Sequence, residues 1–122
     1  MDWEIIIHEK ERFIEIITSG HADRDGSLKM ATAITENMRK HRIKKALIDH
    51  RNISEVSGGI TDIYYRPQIL KIIGAIFRIR IAELIKIEHM DHFRFFETVC
   101  KNQGFQVSIF QEREKAINWL LN

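Results

Sequence analysis

A chain of 122 residues is long enough for one domain that buries roughly two-thirds of its unfolded surface, with no need of disulfides or metals. Charged residues make up 30% and apolar residues 44%, and the net charge of +2 is too small to argue for nucleic acid or an acidic membrane as partner. The single cysteine, Cys100, excludes an internal disulfide framework and fits a reducing compartment.

The start, MDWEIIIHEKERF, carries acids at Asp2 and Glu4 and an apolar run of only three isoleucines, so it does not read as a signal peptide. Trp3 to His8 reads as a first strand, and Glu9 to Arg12 as a charged turn. Phe13, Ile14, Ile16 and Ile17 form a second strand interrupted only by Glu15. The two are close enough for a hairpin, although no Asn-Gly or Asp-Gly turn joins them. The polar stretch TSGHADRDG precedes a helix over about 27–41, with Leu28, Ala31, Ile34 (or Thr35) and Met38 at helical spacing. Asp23, Asp25 or Ser27 is placed to cap its start. Arg39, Lys40, His41 and Arg42 gather at its end, where cations suit the carbonyl end of the dipole.

Ala46-Leu47-Ile48 is apolar on both faces, as a central parallel strand requires. The segment HRNISEVSGG reads as the loop that follows. Ile60, Ile63 and Tyr64 suggest a helical turn, Pro67 a kink or a new helix start, and Ile69, Ile72, Ile73 and Ile76 a full helical stripe. Residues 79–87 read as a fourth strand. A helix over 91–102 turns Phe93, Phe96, Val99 and Cys100 inward, with Gly104 just past its end. Lys71, Arg78, Arg80, Glu83 and Lys86 interrupt the apolar region 69–87, so no membrane span is expected and the cytoplasm is the expected location. FQVSIF then gives a strand and EREKAINWLLN a short helix, with Ala116, Ile117, Leu120 and Leu121 on one side. The chain order is β-β-α-β-α-β-α-β-α. It predicts an α/β domain over 1–122 with a mixed five-stranded sheet and an antiparallel first strand.

The segments ALIDHRNIS, IRIAELIKI, DHFRFFETVCKNQG and VSIFQEREKAINWLL, in this order and spacing, resemble the STAS domain of bacterial anti-sigma-factor antagonists. They are also similar to small bacterial STAS-like proteins compared with the CRAL-TRIO lipid-binding superfamily. The resemblance implies a regulatory, protein-binding role, or the binding of a small apolar ligand or lipid. Antagonists of this kind carry Asp-Ser-Ser-Gly after the third strand, with one serine phosphorylated. Here the region is SEVSGGI, which keeps Ser57-Gly58 but has no aspartate before it. Ser57 is the candidate phosphoacceptor that the resemblance supplies.

Ligands of open α/β sheets favour the carboxyl ends of strands, where Asp49, His50, Arg51, Ser54 and Ser57 fall. Gly58 and Gly59 allow close backbone approach, and a following helix would offer free N–H groups to an anion. The same Asp49 and Ser57 serve equally well as caps and turn formers. The Gly-Gly pair lacks the Lys-Ser/Thr ending of a phosphate loop. Tyr64 and Tyr65, adjacent and near Pro67, cannot both face inward, so one is expected on an exposed apolar patch that marks a partner surface.

His89 and His92 are spaced to share a metal, but no third ligand is spaced to join them, so they read as a solvated capping region. Glu83 is either a buried carboxylate with a perturbed pKa or a residue at the exposed end of its strand beside Arg80 or Lys86; the second is the plainer reading. The basic run 39–45 has no interleaved aromatics for stacking on bases and reads as a solvated helix end. Cys100, among apolar neighbours, reads as a packed thiol.

With no catalytic spacing, metal set or cofactor motif, the leading expectation is a non-enzymatic regulatory module. Its partner is another protein or a second copy of itself, through a surface near 54–65. A small apolar ligand or lipid carrier is the alternative. An enzyme using Asp49, His50 or Glu83 on an acidic or phosphorylated substrate comes third.

Overall fold

The fold is described from a computed structural model, over residues 1–56, 79–102 and 104–122. Five strands, β1 (Asp2–His8), β2 (Phe13–Ala22), β3 (Lys45–Val56), β4 (Arg80–Leu84) and β5 (Gln106–Phe110), form a sheet in the order β1-β2-β3-β4-β5. β1 is antiparallel to β2, and the remaining pairs are parallel. The helices are α1 (Arg24–His41), α2 (Met90–Asn102, after a 3-10 turn at Ile87–His89) and α3 (Arg113–Leu121). The helix expected over 60–76 lies outside the described residues, as do Ser57, Gly58, Gly59, Tyr64, Tyr65 and Pro67.

The sheet separates two cores by strand alternation. Ile14, Ile16, Ala46, Ile48, Ile81 and Val107 point to one face, beneath Met30, Ile34 and Met38 of α1 and Phe93, Phe96 and Cys100 of α2. Phe13, Leu47, Ala82 and Leu84 point to the other, beneath Ala116 and Leu120 of α3. Burying each Leu, Ile or Phe contributes about 1.5–3 kcal/mol, so the layers are held chiefly by these rows. Cys100 is fully buried, as its neighbours predict.

Local chemistry sets the element ends. The Asp23 carboxylate accepts a hydrogen bond from the Gly26 N–H at 2.6 Å and caps α1. α1 begins three residues before the predicted start, so Leu28 falls within its first turns and is 48% exposed instead of joining the core stripe. Gly104, at φ +86°, ends α2, and the Phe105 N–H returns to the Cys100 carbonyl. β4 stops at Leu84 rather than near 87, because Lys86 begins the 3-10 turn.

The hairpin turn explains its missing Asn-Gly signal. Arg12 takes the left-handed conformation at φ 63° and its N–H closes back on the His8 carbonyl at 2.8 Å. Its guanidinium reaches across to donate to the carbonyls of His41 and Arg42 at 2.9 and 3.0 Å, capping the end of α1. Arg12→Ala is expected to lower stability by about 1 kcal/mol in urea titrations. Arg12→Gly is expected to recover part of that loss, because glycine enters the left-handed region without penalty. Equal losses for the two would show that the turn conformation stores no strain.

Candidate functional site at the carboxyl edge of the sheet

β3 runs twelve residues, to Val56, so residues 50–56 of the segment read as a loop are strand, while residues 57–59 lie outside the described residues. Among the described residues its second half pairs only with the end of β2: Asn52 opposite Ser19, Ile53 opposite Gly20, Glu55 opposite His21 and Val56 opposite Ala22. Two register shifts place an additional residue in β3 each time, and Gly20, at φ +83°, lies beside the second. Such bulges bend a strand and re-aim its side chains. The polar sequence TSGHA hides the end of β2 for the same reason that HRNIS hides β3. Pairing between the two, not apolar alternation, makes them strands.

The candidate residues therefore divide between two faces and a rim. Asp49 and His50, expected at an exposed rim, are each only 7% exposed, whereas Arg51 and Ser54 are open to solvent. Asp49 faces the α3 side. Its carboxylate accepts from the Arg51 N–H at 3.0 Å and from Arg51 Nε and Nη2 at 2.9 and 2.8 Å. Burial alone would raise the Asp49 pKa. The Arg51 side-chain and backbone hydrogen bonds outweigh it and hold the carboxyl below the usual aspartate value.

On the same face lies a second buried carboxylate that the sequence reading passed over. Glu15 of β2 is held by both guanidinium nitrogens of Arg113, at the start of α3, with Nη2 to Oε1 at 2.9 Å. His8 Nε2 stands 2.8 Å from the same Oε1, and its ring stacks on Phe13 at 4.3 Å between centroids. The Arg113 hydrogen bonds lower the Glu15 pKa and, with the His8 bond, outweigh the opposite effect of burial. A lone glutamate inside FIEII is the signal that marked this site. The residue that completes it stands 98 positions away.

On the opposite face, Thr18 of β2, His50 of β3 and Glu83 of β4 converge beneath α2. The Thr18 hydroxyl donates to the Asp49 carbonyl at 3.1 Å, and His50 Nδ1 lies 2.8 Å from Thr18 Oγ1. With the hydroxyl hydrogen committed to the carbonyl, Nδ1 carries the imidazole hydrogen and donates to Thr18. His50 Nε2 then faces Glu83 Oε2 at 3.8 Å, an ion-pair distance and not a hydrogen bond. The Phe93 ring stacks over His50 at 5.2 Å. Glu83 is 4% exposed, which corrects the reading that placed it at the exposed end of its strand. That strand ends one residue later and is covered on this face by α2.

Among the described residues no group of three His, Cys, Asp or Glu side chains is placed to hold a metal. His89 sits in the 3-10 turn and His92 on the first turn of α2, its ring edge-on to Phe93 at 5.1 Å. No helix of the described residues is long and apolar enough to cross a membrane.

No family model and no curated protein matches the chain. Solved structures do. SpoIIAA, an anti-sigma factor antagonist, is 13% identical in its unphosphorylated form, with a TM-score of 0.58 over 97% of this chain and 96% of SpoIIAA. An anti-sigma factor antagonist from Mycobacterium paratuberculosis is 9% identical, with a TM-score of 0.64 over 99% of this chain and 94% of that one. An uncharacterized protein of the DUF3478 family from Shewanella loihica PV-4, with a SpoIIAA-like fold, is 16% identical, with a TM-score of 0.59 over 98% and 92%. The chain thus has the STAS-like, SpoIIAA-like fold over nearly its whole length.

Proposed function

We infer that the chain is a regulatory protein-interaction module of the STAS type, acting in the cytoplasm without chemistry of its own. The observation that carries this reading is its likeness, end to end, to anti-sigma factor antagonists, one of which has been solved in phosphorylated and unphosphorylated forms. The geometry of the carboxyl edge supports it. Glu15 and Asp49 are each committed to an arginine, and the His50 imidazole lies under Phe93, away from solvent. What the edge offers outward is the β2–β3 ribbon, with Arg51, Asn52, Ser54 and Glu55 exposed on one strand and His21 on the other. Phosphate at Ser57, which follows Val56 in the sequence, would add nearly two negative charges to the chain directly after this ribbon's second strand, enough to change which partner the surface accepts.

A photoreactive residue at Ser54 is expected to trap one protein partner in the cells that make the chain. The same probe at Lys115, on the exposed face of α3, is expected to trap none. Ser57→Glu is expected to reduce the trapping several-fold. Indistinguishable adducts from positions 54 and 115 would remove the proposed surface, and trapping unchanged by Ser57→Glu would remove the phosphate switch.

A further inference from the structure

The basic run at the end of α1 takes no part in the carboxyl-edge surface, and it borders a groove. The groove lies at the opposite, amino edge of the parallel strands, between the last turns of α1, the connection to β3 and the residue before β4. Its volume is about 350 Å³, within the lower range of small-molecule pockets. Met38, Ile43 and Ile79 form an apolar floor. Thr35 adds to that floor, because its hydroxyl is spent on the Ala31 carbonyl at 2.8 Å. Arg39, Arg42 and Lys44 stand exposed around the rim, and no carboxylate is among the described lining residues.

We propose that this groove binds an amphiphilic anion, an acyl chain of medium length ending in a carboxylate. The tail would lie on Met38, Ile43 and Ile79, and the carboxylate would meet the rim cations.

The end of a helix ordinarily disfavours an anion, because its last carbonyls point outward. Here most of those carbonyls are occupied. Met38 O accepts from the Ile43 N–H at 3.0 Å, Arg39 O from the Arg42 N–H at 3.4 Å, and His41 O and Arg42 O from Arg12. The rim field is therefore set by the side chains, and it is positive. The described floor, three apolar side chains and a Thr35 hydroxyl with no hydrogen left to donate, disfavours a polar ligand body, because a buried donor or acceptor would lose its water with little replacement. Arg42 and Lys44 over such a floor therefore select for a charged end and an apolar tail together.

Decanoate is the probe, read by amide chemical shifts of the full chain and by calorimetry. Saturable shifts are expected at Met38, Ile43, Lys44 and Ile79. Arg42→Gln/Lys44→Gln is expected to weaken binding about tenfold, as the loss of charge-assisted bonds requires, with the melting temperature unchanged because both side chains are exposed. Decanol is expected to bind about tenfold more weakly than decanoate, and acetate not to saturate. Decanol binding as tightly as decanoate would make the groove a plain apolar site and overturn the proposal. So would saturation by acetate, which would make it a simple anion site. Unchanged affinity in the double variant, or shifts confined to the recess ringed by Asp2, Asp23 and Asp25, would place the ligand elsewhere.

Discussion

Arg113→Ala is expected to lower the free energy of unfolding by about 2–3 kcal/mol near neutral pH, a large loss for a side chain that is 39% exposed. The reason lies in what it leaves behind. Glu15 is buried in the second strand of the sheet, and without the guanidinium its charge keeps only His8 as a described partner. The size of the effect should depend on pH in a defined direction. The folded state holds the Glu15 carboxyl below its ordinary value of 4.5, so folding favours the deprotonated form. The stabilisation is therefore complete above about pH 4.5 and is lost as pH falls through the lower, folded-state value. Asp49, also held below its ordinary value, adds stabilisation of the same sign in the same acid range. Urea titrations of parent and Arg113→Ala at about pH 7 and in moderate acid should show the gap between them closing as pH falls. A gap of constant size would mean that Arg113 acts through packing of its stem and not through Glu15.

The second large effect is expected at Leu47. It occupies the central strand, is fully buried, and lies in the layer under Ala116 and Leu120 of α3. Leu47→Ala is expected to cost about 3–4 kcal/mol, the sum of lost transfer energy and the cavity left in a layer closed by only one described helix. Leu28→Ala, the same change at a position with the same helical spacing signal as the α1 core, is expected to change stability by less than about 0.5 kcal/mol. Chemical denaturation of the two variants side by side decides the matter. Comparable losses would contradict the two-layer arrangement.

The contrast between Leu47 and Leu28 shows where reading residues alone succeeds. Strands and helices whose apolar residues pack into a core were legible: Phe13–Ile17, Ala46–Ile48, Phe93–Cys100 and the final Ala116–Leu121. Asp23 as a cap and Gly104 as a helix terminator were legible too, because capping is a local affair of a few residues. The extension of β3 was not. Nothing in HRNISE alternates, and its strand character comes from hydrogen bonds to Ser19–Ala22, more than thirty residues earlier. The candidate site suffered most from this. Asp49 and His50 were expected at a solvent rim, whereas consecutive positions on a central strand send them into opposite cores. Glu15 stood out as a lone acid in an apolar strand, but its pairing with Arg113, 98 positions away, leaves no mark in spacing.

The order of the strands across the sheet is the order in which they are synthesised. Each one hydrogen-bonds to the strand made just before it, so a growing chain leaving the ribosome always has a finished edge on which the next piece can dock. No early strand has to wait, unpaired, for a distant partner. The arrangement shortens the time during which sticky backbone is bare. Among the described residues it leaves the first and last strands, and one side of the second half of β3, as borders at which another chain could attach.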